Sequence, residues 1–363
     1  MTGTVEALIN LMMADQVAIP LLDPILNILY GIPLLGHLLA LILWKPLFAA
    51  LICPGFATLG GLLMLLPWIE RKLVARIQWR IGPHEILPRM GGVIQLLADS
   101  LRFLFQEVIV HRDAKQPYFL QFPVLSFIPA LLPLLFIPAG TIIAIESPYG
   151  AQIVLAMVTL FPLFILGLGW ASNSRFAYIG TVREAFVYFG YEIALIVSAF
   201  AMIVLYGTSD PLAISGMQQV PGIILNPVAA LAFFIASAMA TSRLPFEIPE
   251  ADQELAGGPH VEYSGILFGL IYVISYEKVY ILSGLMTLLF LGGGSGPEIR
   301  VLGDLSGLIW FILKTLLVMI ALIALRAIYP RYRLDQALRI GWNPVFTLST
   351  IAVGVSLMEV LLL

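Results

Sequence analysis

Charge is scarce in this sequence. Of 363 residues only 11% are charged and 60% are hydrophobic, with a mean hydropathy of +0.98. A soluble domain carries about 25% charged residues, so a water-facing surface cannot be built from this composition. Cysteine is almost absent: Cys53 is the single one and lies in an apolar run. That excludes disulfides, iron–sulfur ligation and structural zinc made from this chain alone. The formal net charge of −3 argues neither for nucleic acid nor against it, and no nucleic-acid partner is expected. Residues 1–23 hold no Lys or Arg, so the start lacks the basic region of a signal peptide. No internal repeat and no low-complexity linker divides the chain.

What the sequence does have is long apolar runs, at 48–68, 122–145, 153–171, 184–206, 223–242, 263–291, 308–328 and 344–363. They are near or above the ~18–20 residues that a membrane helix needs, and they are not the alternating pattern of an outer-membrane barrel. The expected fold is an all-α polytopic membrane protein with eight core transmembrane helices over residues 48–363. Residues 1–47 form an N-terminal extension, whose apolar run 24–44 is either a ninth span or a helix at the interface. Gly91–Val110 reads as an amphipathic interfacial helix in the first large loop. Ile94, Leu97, Leu101, Leu104 and Val108 recur on one face, against Asp99, Arg102 and Glu107.

Basic residues orient the chain. Of the 19 Lys and Arg, 15 fall in the stretches 71–115, 175–183, 243 and 326–339, all on one side once the spans are threaded. The positive-inside rule puts those loops in the cytoplasm of a multi-pass protein of the inner (plasma) membrane. One of them is acidic as well. R-L-P-F-E-I-P-E-A-D-Q-E-L-A-G-G-P-H-V-E-Y-S-G (243–265) places Glu247, Glu250, Asp252, Glu254 and Glu262 beside Arg243. Pro245 and Pro249 stiffen it, and Gly257 and Gly258 release it. A solvated loop is the bland reading of such a charge run. The acid cluster on a basic side argues for more. Within the spans, Glu192, the adjacent Glu277 and Lys278, and Lys314 are charges that a bilayer admits at a cost and that mark function by default. Internal ion pairs that only fix helix packing are the alternative.

The acidic stretch resembles the R-x-P-F-D-x-x-E-x-E-x-E-L-x-x-G-x-x-x-E-Y-S signature of one membrane-protein family of respiratory complex I. This is the family that joins the membrane arm to the peripheral arm (the H subunit of bacterial enzymes). Glu247 and Asp252 swap acid for acid within the signature. E-R-K-L-V-A-R-I-Q-W-R-I-G-P (70–83), Arg183 with Glu192, W-A-S-N-S-R-F-A-Y-I-G (170–180), Lys314 and R-A-I-Y-P-R-Y-R-L-D-Q-A-L-R-I-G-W (326–342) extend the resemblance over about residues 48–345. It implies the connecting membrane subunit of a redox-driven proton pump of the NADH:quinone oxidoreductase type. Quinone would be its substrate, and the chain itself would hold no redox cofactor, no metal and no catalytic residue. Iron–sulfur clusters would lie in peripheral-arm partners, and small connecting and antiporter-like membrane subunits would be the other partners.

The resemblance also implies a quinone cavity and acidic coupling loop made of Arg71, Arg76, Arg80, Asp99, Arg243, Glu247, Glu250, Asp252, Glu254 and Glu262. The implied proton route holds Arg183, Glu192, Glu277, Lys278 and Lys314. Three acids usual in the family are missing, at Thr159, Ala240 and Ser275. Glu277, two residues from the last of these, is expected to join the route, with Lys278 tuning it as a neighbouring positive charge. Lys278 and the G-P-H-V-E-Y-S-G wording are also similar to the equivalent subunit of group 4 membrane-bound hydrogenases, the alternative reading. A nickel site bound by paired Cys-x-x-Cys motifs in a neighbouring protein of the complex would mark that alternative. A free-standing ion transporter is the third reading, but no broken, paired half-helices support it.

The topology is open to direct measurement. Cysteines placed singly at Lys115, Ser174 and Gln336 are expected to react with impermeant thiol reagents from the cytoplasmic side only. Labelling of any one of them from outside would overturn the threading.

Overall fold

The computed structural model describes residues 15–30 and 33–362. The first fourteen residues of the N-terminal extension, and residues 31–32 within its apolar run, lie outside the described residues. Eleven main helices are numbered in chain order. They are α1 (Asp23–Tyr30), α2 (Pro33–Leu43), α3 (Lys45–Ile77), α4 (Gln95–Phe105), α5 (Gln116–Phe136) and α6 (Gly150–Ser172), then α7 (Arg175–Tyr206), α8 (Pro227–Ala240), α9 (Gly265–Phe290), α10 (Leu305–Ile328) and α11 (Leu334–Leu362). The described residues form no β-strand beyond two isolated bridges, so the chain is all-helical.

Seven helices, α3, α5, α6, α7, α9, α10 and α11, are long and apolar enough to cross a membrane. The eighth expected span is shorter. α8 has 14 residues, which rise about 21 Å, against a hydrocarbon core of ~30 Å. Pro227 breaks the apolar run that was expected over 223–242, leaving a separate turn at Gly222–Leu225. Asn226 joins the two pieces. Its side chain accepts a hydrogen bond from Ala229 N at 2.9 Å and donates to Ala352 O at 2.8 Å and Ser356 Oγ at 2.9 Å on α11. It both caps α8 and ties it to the last helix. Run 24–44 is likewise divided, into α1 of 8 residues and α2 of 11, each shorter than a span. Residues ahead of them are held to the loop before α10, with Ala18 N donating to Asp304 Oδ2 at 3.0 Å and Leu21 N to Val301 O at 3.1 Å.

α7 is the central post, against which α6, α8 and α11 pack, while α9 is flanked by α3, α4 and α10. A Cβ on Gly341 would fall 2.2 Å from Gly190 O, so glycine at 341 is what lets the start of α11 lie against α7. The amphipathic segment is a helix over a shorter range than its pattern, Gln95–Phe105. Leu97, Leu101 and Leu104 point outward, whereas Phe103 packs against Phe268 of α9 with ring centroids 5.6 Å apart and the rings tilted. The four basic stretches meet at one end of the bundle, where ion pairs join them: Arg71 to Asp99, Arg243 and Arg326 to Glu70, and Arg183 and Arg331 to Glu254.

Asn226→Ala removes the tie between α8 and α11 and leaves Ala352 O and Ser356 Oγ short of a donor. It should lower stability by about 1–3 kcal/mol, read as a lower midpoint in thermal denaturation of the purified protein. An unchanged midpoint would show that the tie carries no stability.

Candidate functional site at the acidic loop

The loop after α8 begins with a strained residue. Ser242 has a φ of 50°, in the left-handed region that a side chain other than glycine rarely adopts. The turn carries the chain out of the bundle and aims the Ser242 hydroxyl at Glu184 of α7, at 3.1 and 3.3 Å from its two oxygens. The next residue, Arg243, folds back to Glu70 of α3. That carboxylate is 2% exposed and lies between the guanidinium groups of Arg243 and Arg326, accepting a hydrogen bond from each. Tyr276 of α9 also donates to it at 2.8 Å, and the Arg243 guanidinium lies 4.0 Å over the Tyr276 ring. The acid that holds Arg243 therefore comes from the first basic stretch and not from its own loop.

These groups line a cavity of about 400 Å³, together with Arg71, Glu247, Glu250, Asp252, His260, Tyr272 and Ser275. Glycine at 180 lets the loop settle there: a Cβ would stand 2.8–2.9 Å from Pro259, Gly258 and Pro249. Burial pushes the Glu247 carboxyl up, and the charges of Glu250 and Asp252 add to this against Arg326 and Arg243. Burial acts on Glu250 in the same sense but is outweighed. His260 Nε2 at 3.1 Å and the charges of Arg243 and Lys278 hold Glu250 below the usual range. Hydrogen bonding from Arg183 lowers Glu254, which lies outside the cavity in an exposed cluster with Arg183 and Arg331. The loop thus holds acids of opposite bias within a few residues.

The other residues expected at the site separate. Arg71 pairs with Asp99 at 2.8 Å at the cavity wall, but Arg76 and Arg80 are exposed and line no part of it. Glu262 stands 3.9 Å from His111 Nδ1. Glu192 is half-buried one turn beyond Tyr188, whose hydroxyl donates to it and lies 3.1 Å from Thr159 O. Arg183 and Glu192 share α7 but not a cluster. Lys314 sits at the opposite end of α9 from the loop, its ammonium donating to Leu291 O and Ser295 O at 2.7 Å and to Gly293 O at 3.2 Å. Of the two neighbours on α9, Lys278 lines a second, smaller cavity and Glu277 lines neither, being fully buried with both oxygens unpartnered. Glu70, Arg326, Tyr272, Tyr276 and His260 were not among the expected site residues. Arg326 and Glu70 stood in basic motifs that the sequence did mark, but nothing in one sequence says which acid meets which base.

Comparison with known proteins agrees with this architecture. Residues 50–357 match the NADH dehydrogenase family. The chain is 33% identical over 309 residues to the NADH-quinone oxidoreductase H subunit of Dehalococcoides mccartyi (strain CBDB1), covering 85% of each chain. It is 35% identical over 300 residues to the H subunit of Orientia tsutsugamushi (strain Boryong), covering 81% of this chain and 82% of that one. With the H subunit of Geobacillus sp. (strain WCH70), identity is 34% over 312 residues, or 85% and 90% of the two chains. On a match that spans nearly the whole helical bundle, the chain belongs to the NADH dehydrogenase family, in which its relatives are H subunits of NADH-quinone oxidoreductase.

Proposed function

We propose that this chain is the connecting membrane subunit of a complex I-like, redox-driven proton pump, and that the cavity of about 400 Å³ at its charged end receives the quinone headgroup. The observation that carries the reading is the buried Glu70 carboxylate between Arg243 and Arg326, beside two tyrosine hydroxyls. The volume suits a ring-sized ligand. The exposed leucines of α4 provide an apolar approach from the bilayer.

Quinone takes up two electrons and two protons to become quinol. The electrons would come from an iron–sulfur cluster of a peripheral-arm partner, since a single cysteine, Cys53, cannot ligate such a cluster here. The protons are drawn from the carboxylates and His260 around the cavity, or else negative charge stays there. Either change shifts the balance between Glu247 and Glu250, whose charges already act on each other. Arg183, through Glu254, ties the loop to α7, which carries Glu192 towards the antiporter-like partners. The charged end faces the cytoplasm, where the peripheral arm docks, and Glu277 and Lys314 are ionisable groups at membrane depth beside this route.

Arg243→Ala is the test. Glu70 keeps Arg326, so the complex is expected to assemble, while quinone reduction falls by about tenfold or more. Arg243→Lys restores the charge but not the planar stacking on Tyr276 and should recover only part of the rate. Normal quinone reduction by an assembled Arg243→Ala complex would remove the cavity from the function.

A further inference from the structure

Lys278 has a chamber to itself. It is 4% exposed, and among the described residues no carboxylate lies within 4.0 Å of its ammonium and no hydrogen-bond acceptor meets it. The rings of Phe161 on α6 and Tyr191 on α7 stand 5.7 and 6.0 Å away. An ammonium taken out of water with no partner costs several kcal/mol. What lies in front of it is a cavity of about 30 Å³, lined by Lys278, Ser126, Ser242, Ser275, Glu250 and His260. That is room for about one water molecule, with polar partners on several sides. The chamber shares Ser242, Ser275, Glu250 and His260 with the larger cavity, so the two adjoin.

The charged groups facing Lys278 come from two elements. Glu250 and His260 belong to the acidic loop. Glu184 belongs to α7 and does not line the chamber itself, but it is fastened to Ser242, which does. Glu184 and Glu250 are the carboxylates whose charge acts on the ammonium. α6 supplies only apolar side chains, Phe161, Phe164, Ile165 and Leu168. Ser275, where an acid would have stood, is one helical turn from Lys278 and lines the same chamber.

We propose that Lys278 is a proton-relay residue between the acidic loop and Glu184, working through one water in this chamber. One proton leaves the ammonium for the Glu184 carboxylate, giving an amine and a carboxylic acid. The amine is recharged by one proton that reaches it from the acidic loop through His260 and Glu250 at the chamber wall. No net charge is created inside the bundle in the first step, and the second takes up the charge that quinone chemistry places on the loop. Sequence spacing favoured Glu277 for this task, with Lys278 as its neighbour. The chamber reverses the two. The inference rests on the proposed function, because it needs a proton to be moved.

The test uses the assembled complex in proteoliposomes, with quinone reduction and proton uptake measured together. Lys278→Met keeps the volume, and Lys278→Arg keeps a charge that does not dissociate near neutral pH. Both are expected to reduce quinone while protons moved per electron fall by about tenfold, a size that loss of one relay group readily produces. A purely structural cation would be rescued by Arg, so a wild-type ratio in Lys278→Arg overturns the relay, and this variant decides the matter if the Met variant fails to assemble. Glu184→Gln should lose as much, and Lys278→Met with Glu184→Gln no more than either alone. Losses that multiply would place the two on separate routes and overturn the inference. A wild-type complex that reduces no quinone would instead overturn the proposed function, and the relay with it.

Discussion

Glu70 is 2% exposed and surrounded by two guanidinium groups and a phenol, in a bundle whose surroundings are otherwise apolar. A carboxylate in such a place is stable only while a cationic partner stays, since an unpaired charge there costs several kcal/mol. The partners come from three different parts of the chain. Arg243 opens the acidic loop, Arg326 closes α10, and Tyr276 stands on α9. Because Glu70 lies near the charged end of α3, one buried charge fixes where four segments meet. The cavity beside it exists because these segments are held apart by their charged ends and together by Glu70.

The outer cluster works differently. Glu254 is exposed and takes Arg183 at 2.6 Å on one carboxylate oxygen and Arg331 on the other. Exposed pairs of this kind contribute little to stability, typically below about 1 kcal/mol. Their effect is on position: Glu254 sits on a four-residue turn, Asp252–Leu255, and its pair with Arg183 adds a charged tie from that turn to α7. The loop is thus held by a buried charge at its root and, further on, by close packing against Gly180 and by exposed ion pairs at Glu254.

How much of this could be read from the sequence depends on what each feature rests on. The helical membrane class followed from composition and pattern, because only helices and closed barrels satisfy the backbone within a bilayer and the continuous apolar runs lack a barrel's alternation. The acidic loop was legible as a motif, since five acids and two prolines in a short stretch carry their own meaning. α8 was not, because a hydropathy run does not register that Pro227 and a side chain at Asn226 divide it. The role of Glu70 was hidden for another reason. In E-R-K it reads as one acid among bases at a span's end, and only the fold brings Arg243 and Arg326 to it across 173 and 256 residues. The same limit separates Arg71, which reaches the cavity wall, from Arg76 and Arg80, which do not.

α9 shows how a single helix assigns such roles. Residues on it turn by about 100° each, so Tyr272 and Tyr276, four apart, share one side, which meets Arg243 and the larger cavity. Ile271, Ser275 and Lys278 fall on the adjoining side and line the chamber. Glu277 falls about 100° beyond Tyr276 in the opposite sense, away from both, which is why two neighbouring charges have unlike surroundings. The spacing of Glu277 from Ser275 made it look like a replacement for the absent acid, since two residues is close along the chain. On a helix two residues is more than half a turn. Three residues, the distance from Ser275 to Lys278, brings the side chain back to the same face, and there the chain places a base where an acid was expected.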